Sequence, residues 1–157
     1  MCIRDSSTTD STYPNSLFFS RTTTDGKNAG MWPPEDFNIK RNKWQHLAFV
    51  FNDSQNQTKF YLNSTLLKTT NGTSGNTISP TQDLTLGRQL PRVGTNLDFN
   101  GNMSNFAIFN SILTNSQIST LYNNGTPETA ISFSPTNWWK LDTGGSTITD
   151  YLSLIHI

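Results

Sequence analysis

The chain has 157 residues, with eleven basic and eleven acidic residues giving a formal net charge of zero, and 33% of it is hydrophobic. With no basic excess to hold a phosphate backbone, nucleic acid is excluded as a partner class. No apolar run approaches the ~20 residues that a membrane-spanning helix needs, and the length allows roughly one domain.

The chain opens MCIRDS and closes LSLIHI. These are translations of one short DNA sequence read on opposite strands, and they resemble the transposase mosaic end used in preparing sequencing libraries. Residues 1–6 and 152–157 are therefore read as adapter-derived scar, and 7–151 as a piece of a longer reading frame. Cys2 and His156 fall in the excluded ends, which leaves His46 as the one histidine and no cysteine. Disulfides, thiolate metal sites, Cys–His nucleophile pairs and two-histidine zinc sites drop out with them. Asn, Ser and Thr are abundant and charge is sparse, a composition common in extracellular β-proteins.

Short apolar runs alternate with polar or Gly/Pro punctuation, the pattern of an all-β sandwich or barrel. In chain order the expected strands are 17–21, 37–40, 44–51, 59–63, 65–69, 83–87 and 99–110. Strand 44–51 puts Trp44, His46, Ala48 and Val50 on one face and Gln45, Leu47, Phe49 and Phe51 on the other. Both faces are mainly apolar, as in a central strand covered on both sides, and Trp44 is expected in the core. Strand 59–63 alternates more cleanly, with Phe60 and Leu62 inward. The loop 52–58 joins the two as a hairpin, and Asn63-Ser64 supplies a tight turn in which Asn tolerates a positive φ. One helix is legible. Thr114 and Gln117 form a capping box, with Leu113 and Ile118 at the staple positions. Leu121 continues the stripe, and Asn123-Asn124-Gly125 followed by Pro127 ends it.

KWQHLAFVFND, KFYLNS, DLTLGRQ and FNGNMSNFAIFNSILTNSQISTLY occur in the order of matching elements in the laminin G-like, concanavalin A-like jelly-roll domains. The chain resembles that family from about Leu17 to Tyr122. The resemblance implies an antiparallel β-sandwich with one short helix near its C-terminal end, its opening strands lost at the N-terminus. Ser64 stands where the family's turn has glycine, a departure expected to cost little because Asn63 can take the positive φ. The implied divisions are a sandwich over 7–127, then 128–151 as a linker and the start of a second similar module. That second module rests on Trp138-Trp139-Lys140-Leu141-Asp142 before Gly-Gly. The rival reading makes this segment the last strand of the first module. Adjacent tryptophans face opposite sides of a sheet, so one of the two is expected to stay exposed.

His46 has no second histidine, cysteine or motif-borne carboxylate to share a metal site. No Gly-x-Ser-x-Gly elbow supplies a nucleophile either, so His46 is read as a strand residue. A laminarinase-like glycosidase of this architecture needs two carboxylates flanking the sugar bond. Glu35 and Glu128 match no such motif, and Glu35-Asp36, being adjacent, would face opposite ways on a strand. The chain is therefore read as non-catalytic, with a remnant of such a hydrolase as one alternative.

Binding remains. If each connection reverses the chain, the rim bearing loop 52–58 gathers Trp32, Glu35, Asp36, Asp53, Asn56 and Asn71. An aromatic platform with carboxylates and amides suits a sugar, and Asp36 and Asp53 supply hard oxygens of the kind calcium takes. Trp32 before two prolines can equally plug the sandwich end, and Asp53 can equally be a turn former. The resemblance implies glycans or surface proteins as partners, some through calcium, alongside neighbouring modules of the same chain. The setting it implies is extracellular, at a cell surface or in a virion. A passive spacer or assembly unit of a fibre or virion is the other alternative.

Overall fold

The computed structural model describes residues 2–5, 19–22, 28–31, 40, 42–71, 86, 101–126 and 132–141. These residues form β1 (Cys2–Asp5), β2 (Phe19–Thr22), β3 (Asn28–Met31), β4 (Gln45–Asn52), β5 (Gln57–Leu62), β6 (Thr65–Asn71), β7 (Gly101–Ser104), β8 (Phe106–Ile108), helix α1 (Asn115–Tyr122), a 3-10 turn at Asn123–Gly125 and β9 (Asn137–Trp139). All pairings are antiparallel. A five-stranded sheet runs β6-β5-β4-β1-β7, and β2–β3 and β8–β9 form two-stranded sheets. The expected all-β antiparallel architecture with one short helix is what the chain adopts.

The β4–β5 hairpin is the centre. Its register places Leu47 opposite Leu62, Ala48 opposite Tyr61 and Phe49 opposite Phe60. On one face the Phe49 and Phe60 rings stack with centroids 4.9 Å apart, and Leu47, Thr58 and Phe60 are buried. On the other face Val50, Tyr61 and Ile118 form a cluster flanked by Ala48 and Leu113. The two-sided apolar pattern of β4 thus has the structural meaning that alternation predicts.

Helix α1 has eight residues, too short to persist without packing. Its capping box forms as expected. The Gln117 N–H donates to Thr114 Oγ1 at 3.3 Å and the Thr114 N–H donates to Gln117 Oε1 at 2.8 Å. Asn123 closes the helix in the left-handed region. Ile118 is fully buried, and the Tyr61 hydroxyl donates to Asn115 Oδ1 at 2.7 Å, so sheet and helix share both an apolar and a polar contact.

Several expectations need correction. Trp44 is not core: it is 50% exposed, because it precedes the first paired residue of β4 and strand parity does not reach it. Ser64 does not escape the turn's strain, since both Asn63 (φ 46°) and Ser64 (φ 64°) are left-handed. The expected strand 99–110 breaks at Asn105, whose φ of 52° sends β7 into the large sheet and β8 to β9. Such bends let one chain segment serve two sheets. One of Trp138 and Trp139 was expected to stay exposed, and neither is. Trp138 is 7% exposed, its Nε1–H donating to Asn105 Oδ1 at 3.1 Å and the Lys140 ammonium lying 5.0 Å from its ring centroid. Trp139 stacks on Phe106 at 5.6 Å.

Strand β9 pairs with β8 through Phe106–Trp139 and Ile108–Asn137, so this part of the tail is docked on the neighbouring strand. Strand β3 was not among the expected strands, yet it pairs with β2 from Phe19–Met31 to Thr22–Asn28. Strand β1, in the end set aside as scar, pairs with β4 and β7. Main-chain ladders need only an extended backbone, so the pairing carries little information about side chains. The expected strands 37–40 and 83–87 lie outside the described residues, apart from Lys40 and Leu86, neither of which is in a strand.

Two stability changes follow. Ser64→Gly removes the Cβ that the left-handed region disfavours and should raise the unfolding free energy by roughly 1 kcal/mol, read as a higher urea midpoint. Ile118→Ala should lower it by about 2–5 kcal/mol, with loss of the helix from its docked position.

Candidate functional site

The β4–β5 hairpin has two ends with different chemistry. At the outer end, Asn52 organises the turn. Its Oδ1 accepts from Ser54 Oγ at 2.7 Å and from the Gln55 N–H at 3.1 Å, while its Nδ2 donates to Gln55 Oε1 at 2.8 Å. The Asn56 N–H donates to the Asp53 carbonyl at 3.1 Å, and Asn56 takes φ 53°, the conformation an asparagine enters at low cost. Register then brings Asn71 opposite Gln57.

Asp53, Asn56 and Asn71, three of the six expected rim residues, therefore share one end of the sheet. Trp32, Glu35 and Asp36 lie outside the described residues. Asn56 Oδ1 is buried without a hydrogen-bond partner among the described residues, an acceptor whose desolvation nothing there offsets. Asp53 is exposed and is the only carboxylate among the described side chains. No group of three or more His, Cys, Asp or Glu that could hold a metal ion occurs among the described residues.

At the opposite end, Asn63 grips β4. Its Oδ1 accepts from the His46 N–H, and its own N–H donates to the His46 carbonyl, each at 2.9 Å. One residue back, the buried amide of Gln45 holds the backbone of Lys40. Oε1 accepts from the Lys40 N–H at 3.3 Å, and Nε2 donates to the Lys40 carbonyl at 3.2 Å. The turn between them passes through Asn42 at φ 59° and ends on exposed Lys43 and Trp44. Sequence reasoning placed Trp44 inside and so missed this feature. The available signal was its position directly after the polar Arg41-Asn42-Lys43.

His46 lies on the helix-facing side of β4, 6% exposed, with its ring 6.0 Å from that of Tyr122. Its Nδ1 has no partner among the described residues. Burial, with a smaller contribution from the positive amino terminus, lowers its pKa from 6.5 to about 3. The imidazole is therefore neutral at ordinary pH and fills the helix–sheet interface, as its reading as a strand residue implied.

A family model described as the concanavalin A-like lectin/glucanases superfamily, of laminin G type, matches residues 7–119. The chain belongs to this laminin G-like family. Searches of curated proteins and of solved structures returned no match. Laminin G-like domains are commonly extracellular and usually non-catalytic, although the superfamily includes glycosidases. Membership supports a carbohydrate-binding or adhesion-type module in general terms. No helix among the described residues is long and apolar enough to cross a membrane.

The buried imidazole makes stability depend on pH with a definite sign. Unfolded, His46 takes up a proton near 6.5; folded, it does so only near 3. Its contribution is therefore intact above pH 6.5 and is lost as pH falls from there toward 3, by up to ~1.4 kcal/mol per unit. Urea midpoints from pH 7.5 to 4 should fall more steeply for the native chain than for His46→Gln. Parallel curves would show that the imidazole is not responsible.

Proposed function

We propose that this laminin G-like domain is a non-catalytic recognition module that binds carbohydrate through the β4–β5 end of its sheet. It would work within a larger modular surface, secreted or viral structural protein. The observation that carries the reading is the convergence of Asp53, Asn56 and Asn71 on one end of the sheet. Amide and carboxylate groups on a rim held by a rigid hairpin are suited to sugar hydroxyls, which both donate and accept. Trp32 completes the proposed site as the platform for the apolar face of a pyranose, with Glu35 and Asp36 as further acceptors.

Calcium takes six to eight oxygen ligands, and Asp53 with Asp36 would supply only part of such a shell. Direct hydrogen bonding is therefore the mode proposed, with these two carboxylates as the ligands if calcium binds.

A glycan array tests the reading. Saturable binding is expected, weakened about tenfold or more by Asn56→Ala or Trp32→Ala, as for loss of a central contact, and retained in EDTA. A blank array from a folded chain would favour a spacer or assembly unit of a fibre or virion. Hydrolysis of a β-glucan abolished by Glu35→Gln or Asp36→Asn would instead identify a glycosidase remnant.

A further inference from the structure

Strands of the five-stranded sheet reach it by different routes. β4, β5 and β6 follow one another as hairpins, whereas the strand between β4 and β7 is β1, the four residues Cys2–Asp5 from the start of the chain. β1 meets β7 through four pairs, from Cys2–Ser104 to Asp5–Gly101, and β4 through two, Cys2–His46 and Ile3–Gln45. Both walls of this slot are tied by other contacts. β4 is held by six pairs with β5 and by the mutual bonds of His46 and Asn63. Beside β7, the Ser104 hydroxyl and the Asn105 N–H both donate to the Lys140 carbonyl, at 3.2 and 2.9 Å. Departure of β1 would bare main-chain donors and acceptors on two edges at once, a template for another strand. Walls that stay in place lower the ordering cost of refilling it.

We infer that the slot between β4 and β7 is a strand-addition site, and that its partner is an extended segment of another polypeptide. In that mode main-chain bonds supply the affinity and neighbouring side chains the preference. The occupant seen here supports it. On the reading of residues 1–6 as adapter-derived, Cys2–Asp5 was never selected for this place, yet it pairs on both sides. An extended backbone is therefore the first requirement, and particular side chains come second. Gln45 and His46 are buried and Met103 and Ser104 partly buried, while Gly101 and Asn102 are exposed. An incoming strand is thus confined at the two positions opposite Gln45 and His46 and free to vary at the two opposite Gly101 and Asn102. Its direction is fixed, antiparallel to both walls. The slot meets β4 at the end away from Asn52, so it is separate from the proposed carbohydrate rim.

The test uses the full chain and a fluorescent peptide of residues 1–8 carrying Cys2→Ser. Ile3→Pro in the chain removes a ladder donor and clears β1 from the slot. That variant should bind the peptide saturably, about tenfold or more tighter than the native chain, whose own β1 competes at high effective concentration. Hydrogen exchange at residues 101–104 should quicken in Ile3→Pro and slow again with peptide, while the β4–β5 pairs stay protected throughout. Replacing Arg4 and Asp5 of the peptide should change its affinity little, and Ile3→Pro in the peptide should abolish binding. A second variant decides the matter if Ile3→Pro does not fold. Ser104→Cys sets a thiol directly opposite Cys2, the chain's single cysteine, at a cross-strand separation a disulfide can span. Oxidation locks β1 in place, so binding of excess peptide should disappear, and reduction should restore it. Three results would overturn the inference: a folded Ile3→Pro chain or a reduced Ser104→Cys chain that binds no peptide, an oxidised Ser104→Cys chain that binds as well as the reduced one, or a proline-containing peptide that binds as well as its parent.

Discussion

The pairing of β4 with β5 is the constraint on which the rest depends. Six consecutive pairs, from Leu47–Leu62 to Asn52–Gln57, lock two strands whose side chains are wanted on both faces. A slip of one residue would exchange the Phe49–Phe60 stack for the helix-facing set of His46, Ala48, Val50 and Tyr61. Because neither face tolerates the other's residues, the register is specified twice. Both turns that lie at the hairpin's ends inherit their positions from it, and so does the helix that docks on one face.

The helix illustrates how local and tertiary signals agree. Thr114 and Gln117 begin it, Asn123 ends it, and neither its first nor its last turn carries a charge to complement its dipole. Packing of Ile118 and the Tyr61–Asn115 hydrogen bond supply what length and charge do not. His46 belongs to this interface. A neutral ring against Tyr122 leaves one nitrogen without a partner among the described residues and fills a space that a smaller residue would leave open.

Much of this was legible because it rests on short-range chemistry. The alternation in 44–51, the Asn63-Ser64 turn and the capping box each follow from rules spanning a few residues. What was not legible depended on partners distant in sequence. Asn-Ala-Gly becomes β3 only because β2 pairs with it. Asn105 interrupts the expected strand 99–110 where Trp138 and Lys140, which follow the helix in sequence, bond to it. The burial of Trp138 and the partial burial of Trp139 likewise need Asn105, Lys140 and Phe106. For the candidate site, parity placed Asp53, Asn56 and Asn71 together, since alternating connections fix which loops share an end. Parity could not say that Trp44, one residue outside the ladder, would be exposed.

Asparagine explains more of the molecule than its composition suggested. Asn42, Asn56, Asn63, Asn105, Asn123 and Asn124 all take positive φ, and they stand at strand ends, a sheet-switching bend and the helix terminus. Glycine would adopt the same angles more easily, but it would bring no side chain. Here the side chain is used. Asn63 binds the His46 backbone and Asn105 binds the Trp138 indole, so the same residue turns the chain and ties it. Asn56 takes the turning angle, yet its side-chain oxygen has no tie among the described residues. At Asn56 the left-handed angle and the backbone bond to Asp53 serve the turn.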